Sequence, residues 1–182
     1  GVAVVGNAAT AGQGVWQYSA DGGATWTAMV TTLSTSSTLL LKATDQVRFL
    51  PTADWNGTPG GLTVRLIDSS SGAVTTGTGP DLAGAAATGG TTVYANAANA
   101  VALNTVVTPV NDAPTRLTAA VTLPSVTEDV TAPAGDTVAN LFGTGVFSDA
   151  TDQVAGGSSA NTLAGVAVVG NAATAGQGVW QY

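Results

Sequence analysis

Carboxylates are the chemically most suggestive side chains in this sequence. Among 182 residues, 11 are acidic and 4 basic, the net charge is −7, and neither Cys nor His occurs. Without thiols there are no disulfides, thiolate nucleophiles or Cys-ligated zinc; without imidazole the usual general base and transition-metal ligand are missing. Asp112, Glu128, Asp129, Asp149 and Asp152 fall within a span of 41 residues. Carboxylates gathered together repel one another unless a cation neutralises them, and hard oxygen ligands suit Ca²⁺. The same acids could equally serve as loop solubilisers and turn caps. A carboxylate pair can also hydrolyse a glycosidic bond when the two face a cleft, but no spacing singles out such a pair, so no enzyme is expected. The acidic balance argues against nucleic acid as a partner, which calls for a basic patch.

A second group of residues carries a shape rather than a reaction. Ser19-Ala-Asp21-Gly-Gly23-Ala-Thr25-Trp26 follows the pattern S-x-D-x-G-x-T-W. Gly22 and Gly23 permit positive φ, the Asp21 carboxylate can accept backbone N–H bonds, and Trp26 can pack beneath the turn. The stretch resembles the Asp-box hairpin of sialidase-type propellers. Sialidase chemistry itself needs an arginine cluster, and this chain has three Arg residues, so the expected role is a brace. Asp54, in Pro51-Thr-Ala-Asp-Trp-Asn-Gly57, is expected to cap or brace a turn, and Trp55 to be a core or rim aromatic. Alternatively, Trp16, Trp26 and Trp55 could line a carbohydrate site, with Asp54 and Asn56 orienting the sugar.

The elements that position these residues read as strands. Charged residues make up 8% of the chain and Gly occurs 24 times, a composition that favours strands and tight turns over helices. Short β-type runs are expected at residues 2–5, 15–19, 38–41, 46–50, 62–67, 91–95, 101–110, 117–126, 137–142 and 166–169. Most are separated by turn residues, which predicts an all-β sandwich or barrel. In the run at 62–67, Leu62, Val64 and Leu66 share one face. Residues 69–90 read as a long loop or insertion. No run of about 20 apolar residues occurs, so no membrane span is expected.

The chain also repeats itself. GVAVVGNAATAGQGVWQY stands at residues 1–18 and again at 165–182, eighteen identities at an offset of 164. An offset of that size matches a whole domain rather than a solenoid unit. The sequence is expected to cover one period of a tandem array plus the start of the next copy. The best boundary is TPVNDAPT at residues 108–115. Residues 1–112 would then be the C-terminal portion of one repeat and 113–182 the N-terminal portion of the next.

The VNDAP linker, Glu128, the Asp149/Asp152 pair and the Asp68-Ser-Ser-Ser-Gly72 turn together resemble bacterial cadherin-like tandem repeats of giant RTX-type surface adhesins. That resemblance implies an Ig/cadherin-like Greek-key β-sandwich with Ca²⁺ stiffening the joints between repeats. It implies Asn111 and Asp112 as linker ligands, Asp149 and Asp152 as the counterpart of the family's D-x-D pair, and Glu128 as the early-strand acid. The spacing here is D-x-x-D, which alters the carboxylates that can converge. By the same resemblance the chain would be an extender module of an extracellular, cell-surface or filament protein. Its partners would be neighbouring identical repeats or other copies of the chain.

Overall fold

A computed structural model describes residues 1–182. The chain divides into two compact units. Unit 1 comprises Gly1–Asn111 with Asp152–Ser159, and unit 2 comprises Asp112–Thr151 with Ala160–Tyr182.

Unit 1 contains two antiparallel sheets. The strands are β1 (Val2–Asn7), β2 (Gly14–Ser19), β3 (Thr27–Ala28), β4 (Leu39–Leu41), β5 (Gln46–Pro51), β6 (Leu62–Leu66), β7 (Gly77–Thr78) and β8 (Val101–Leu103). Five form one sheet in the order β7-β4-β1-β6-β8, and three form the other in the order β3-β2-β5. The opening segment of the chain therefore supplies a central strand to each sheet. β1 lies between β4 and β6, with Val4 opposite both Leu39 and Val64, and its register with β6 shifts between Val4 and Gly6, as at a β-bulge. β2 lies between β3 and β5, pairing with β5 along its whole length, Gly14 opposite Pro51 through Ser19 opposite Gln46.

Alternation explains which residues are inward. Val4, Leu41, Leu62 and Val64 from the larger sheet join Trp16 from the smaller in one cluster, with Val47 and Phe49 packed against it. Trp16 meets Phe49 edge-on at 5.3 Å between ring centres. Ala3, on the opposite face of β1, joins Ile67 and Leu82 in a second cluster, with Val74, Val93 and Tyr94 against it. The stretch expected as a loop or insertion thus has a structural task. It contributes only the short β7, yet it covers the second face of the larger sheet. That cover buries Arg65, whose guanidinium donates to the Ala95 carbonyl at 3.2 Å. At the end of the same strand, Leu66 stands opposite Val2 as Val64 stands opposite Val4, on the face it was expected to share with Leu62 and Val64, and is half exposed.

Two expected strands in unit 1 are shorter than the run of β-type residues. Residues 91–95 make a single bridge, Tyr94 to Ile67. Residues 101–110 form β8 and then one bridge, Val107 to Gly57, because only these positions have a partner strand.

Unit 2 has much less regular structure. β9 (Thr115–Arg116) pairs with β10 (Phe147–Ser148), and between them lies one helix, α1 (Val138–Phe142). No hydrophobic side chain of this unit is buried. The strand expected at 137–142 is α1 instead. Thr137 caps it, its hydroxyl accepting the Asn140 N–H at 3.1 Å, while Asp136 accepts the Asn140 side-chain amide at 2.8 Å. Gly143 ends it, its N–H reaching the Ala139 carbonyl at 2.9 Å. Short polar caps and a terminal glycine outweigh the strand propensity of Thr and Val here. Residues 117–126 and 166–169, also expected as strands, have no ladder partner and form none.

Candidate functional site

The acidic residues do not form one cluster. Asp149 is buried in unit 2, where Oδ2 accepts the Asn161 backbone N–H at 2.6 Å. Asp152 is buried in unit 1, at the end of a short 3-10 turn over Ala150–Asp152, and its carbonyl accepts the Ser158 hydroxyl. Glu128 is exposed in a turn beside Asp129, whose φ is +64°. Asn111 is exposed and ends the first stretch of unit 1; Asp112, half-buried, opens unit 2. No group of three or more acidic side chains is gathered closely enough to hold a metal ion.

The aromatic residues serve mainly as structure. Trp16 is 3% exposed in the core, and its indole N–H donates to the Gly60 carbonyl at 2.8 Å. Trp26 lies under the Arg48 guanidinium, 4.0 Å from the ring centre. Trp55 packs edge-on against Phe49. A sugar-stacking platform built from Trp16, Trp26 and Trp55 therefore lacks its first member.

The hairpin brace is formed as its sequence pattern predicts. The Asp21 carboxylate accepts the Thr25 N–H at 2.9 Å, the Thr25 hydroxyl at 2.5 Å and the Ser19 hydroxyl at 2.6 Å. The Ser19 hydroxyl accepts the Gly23 N–H at 2.8 Å, and Gly22 and Gly23 have φ of +76° and +95°. The Ser19 and Thr25 bonds hold the Asp21 carboxyl well below the usual carboxylate range. Asp68 is lowered for the same reason by the Ser70 hydroxyl and N–H. Asp54 adopts φ of +59° in its turn.

Sequence reasoning missed a clamp at Asn56. Its side-chain amide donates to the Ser158 hydroxyl at 2.8 Å, and its Oδ1 accepts the Ser158 N–H at 2.7 Å. This fixes the segment Asp152–Ser159 to the rest of unit 1 across 102 residues of sequence. The approach is close: a Cβ at Gly157 would stand 2.3 Å from Asn56 Oδ1. Asn56-Gly57 reads as an ordinary turn, and its contact with Gly156-Gly157 left no signal in either stretch alone.

The two identical segments differ most. In residues 1–18, Val4 is fully buried and Trp16 nearly so, whereas at the matching positions Val168 is 83% exposed and Trp180 68% exposed. The turn inside each copy is nevertheless the same. Gln13 N–H donates to the Thr10 carbonyl at 3.0 Å, and Gln177 N–H to the Thr174 carbonyl at 2.9 Å. Each Gln side chain accepts the N–H of its Thr, at 3.0 Å in the first copy and 2.9 Å in the second.

Comparison with protein-family models, curated proteins and solved structures gave no match.

Proposed function

We propose that the chain is an extender module of a long repetitive extracellular protein, in which identical domains in tandem set length. One observation carries the reading. The segment repeated at an offset of 164 residues supplies the central strand of both sheets of unit 1. A segment with that role cannot be decorative; repeating it restarts the same domain. The absence of Cys and His and the small number of aromatic residues fit a scaffold better than a catalyst.

In this reading unit 1 is a β-sandwich of the Ig/cadherin-like Greek-key type, and the repeats belong to a bacterial surface or filament protein involved in adhesion. Calcium enters through the chemistry of the donors. Asn111, Asp112, Glu128, Asp149 and Asp152 offer the hard oxygens the ion prefers, and an ion at the joints would restrict rotation between repeats. Asp149 already uses one oxygen on Asn161, so the other is the one available to an ion.

The test is a chain with two full copies, with calcium titrated in and chelated out. Melting temperature and hydrodynamic length should both rise with calcium. If neither moves, the metal leaves the account; if the two copies fail to melt as two similar domains, the extender reading fails with it.

A further inference from the structure

Asn56 is the one Asn in the chain that is followed by Gly, and that pair can react with itself. The backbone nitrogen of Gly57, giving up its proton, attacks Cγ of the Asn56 side chain. With no Cβ on Gly57, nothing crowds the approach. Nδ2 takes a proton and leaves as ammonia, and a cyclic succinimide closes. Water then opens the ring, at one carbonyl to aspartate and at the other to isoaspartate, in which the backbone runs through the side-chain carbon.

The fold holds both reacting groups apart. Asn56 is 6% exposed. Its Oδ1 accepts the Ser158 N–H and its Nδ2 donates to the Ser158 hydroxyl. The Gly57 N–H donates to the Val107 carbonyl at 2.9 Å, and the Val107 N–H returns the bond at 2.9 Å. The segment Asp152–Ser159 also lies over the glycine: a Cβ at Gly57 would stand 3.1 Å from the Gly156 carbonyl oxygen. Attack therefore needs the carboxamide freed from Ser158 and the nitrogen freed from Val107, which is a local opening of this corner of unit 1.

The acid cannot rebuild what the amide held. The Ser158 hydroxyl has one proton and gives it to the Asp152 carbonyl, so its oxygen offers only lone pairs to position 56. An amide N–H meets them, whereas a carboxylate has no proton to give. Either two oxygens face one another or the hydroxyl abandons Asp152. Isoaspartate fits still less well, since its added backbone carbon shifts Gly57 out of register with Val107.

We propose that Asn56-Gly57 is a self-modification site gated by the clamp, and that its reaction turns a reversible release of Asp152–Ser159 into a permanent one. The acid form then accumulates with the time the segment spends open. This inference goes beyond the extender reading and does not rely on it.

The full chain tests it, incubated at neutral and mildly alkaline pH, once folded and once in urea. Peptide mass mapping follows the acid content at each Asn and separates isoaspartate from aspartate. In urea Asn56 should react faster than any other Asn. In the folded chain it should react at least about tenfold more slowly than in urea, as for a site reached only by opening. Ser158→Ala removes the hydroxyl and keeps the N–H; it should raise the folded rate at Asn56 several-fold and leave the other Asn residues unchanged. Equal rates in the folded chain and in urea overturn the gate, without recourse to any variant, and so does a Ser158→Ala rate equal to the unsubstituted one. Permanence is read by amide exchange on the deamidated fraction of the unsubstituted chain, isolated by its added negative charge, and on Asn56→Asp. Exchange should be fast at residues 152–159 and unchanged in β1 and β2. Full protection of residues 152–159 in the acid form overturns the permanent release, and loss of protection throughout unit 1 overturns its being local.

Discussion

Residues 1–18 and 165–182 are one sequence in two environments, and the contrast separates what eighteen residues encode locally from what they borrow. The turn appears in both copies, with Asn7 Oδ1 accepting the Ala9 N–H at 3.2 Å and Asn171 Oδ1 accepting the Ala173 N–H at 3.0 Å. Gly14 and Gly178 both have positive φ, +135° and +120°. These contacts span a few residues and need nothing else. The strands appear only in the first copy. A strand's backbone bonds are satisfied by its neighbours, and ordering costs about 1–2 kcal/mol per residue, which only ladder bonds and apolar burial can offset. The first copy finds β4, β6, β3 and β5; the second finds no ladder. Composition is therefore sufficient for the turn and insufficient for the sheet.

The strongest way to break the contrast is to remove a neighbour that has no duplicate. Leu62 is 1% exposed and stands opposite Asn7 at the end of β1. Leu62→Ala should destabilise unit 1 by about 2–5 kcal/mol through lost burial and the cavity left behind. Residues 165–182 offer no substitute for it. Chemical denaturation followed by Trp fluorescence measures the loss, and a change below the lower bound would show that the two sheets are not held through this cluster.

Next in size is the Asn56 clamp. Asn56→Ala leaves the Ser158 N–H without its acceptor and removes one donor from the Ser158 hydroxyl, which keeps its bond to the Asp152 carbonyl, at a cost of about 1–3 kcal/mol. The residues released are Asp152–Ser159, so their amide exchange should rise far more than that of β1 or β2. Gly157→Ala should produce the same local release by steric conflict with Asn56. Uniform exchange throughout unit 1 would mean that the segment folds with the core rather than being held by this clamp.

How far the sequence led follows the same division. The hairpin at Ser19–Trp26 was readable atom by atom, because its donors and acceptors lie within a few residues of one another. The strands β1, β2, β4, β5 and β6 were readable because turn residues flank most of them and apolar positions tend to alternate, as Val47 and Phe49 do in β5, whereas the two-residue β3 was too short to leave a pattern. Arg65 was not readable as a buried residue, since the loop that covers it begins after the strand has ended. The helix α1 was present in Asp136-Thr137 and Gly143 but was outweighed by the β-type residues between them. The clamp from Asn56 to Ser158 could not be read at all, because its partners are 102 positions apart. The metal ligands implied by the family resemblance were chosen by residue type and linker position, neither of which specifies which oxygens converge.

A smaller effect concerns the hairpin at the end of β2. The folded pKa of Asp21 is lowered, so its contribution to stability is present above the ordinary carboxylate value, about 3.9, and is lost as pH falls below it. The Gly23 and Thr25 amide resonances should hold their positions as pH passes through that value and move only at lower pH. Asp21→Asn should abolish the movement. A midpoint at the ordinary value would show that the Ser19 and Thr25 bonds do not persist in solution.

The smallest effect is at Trp180, and it completes the comparison. In the 182-residue chain at dilute concentration, Trp180→Ala should change the melting of unit 1 by less than about 0.5 kcal/mol, as for a surface substitution. In a chain lengthened by a second copy of residues 19–111, the same substitution should cost about 3–5 kcal/mol in the second domain, as for a core Trp. The side chain and its sequence neighbours are the same in both; only the strands to either side are added. Equal effects in the two chains would mean that the repeated segment does not become a central strand pair when its partners are supplied, and the reason for repeating it would have to be sought elsewhere.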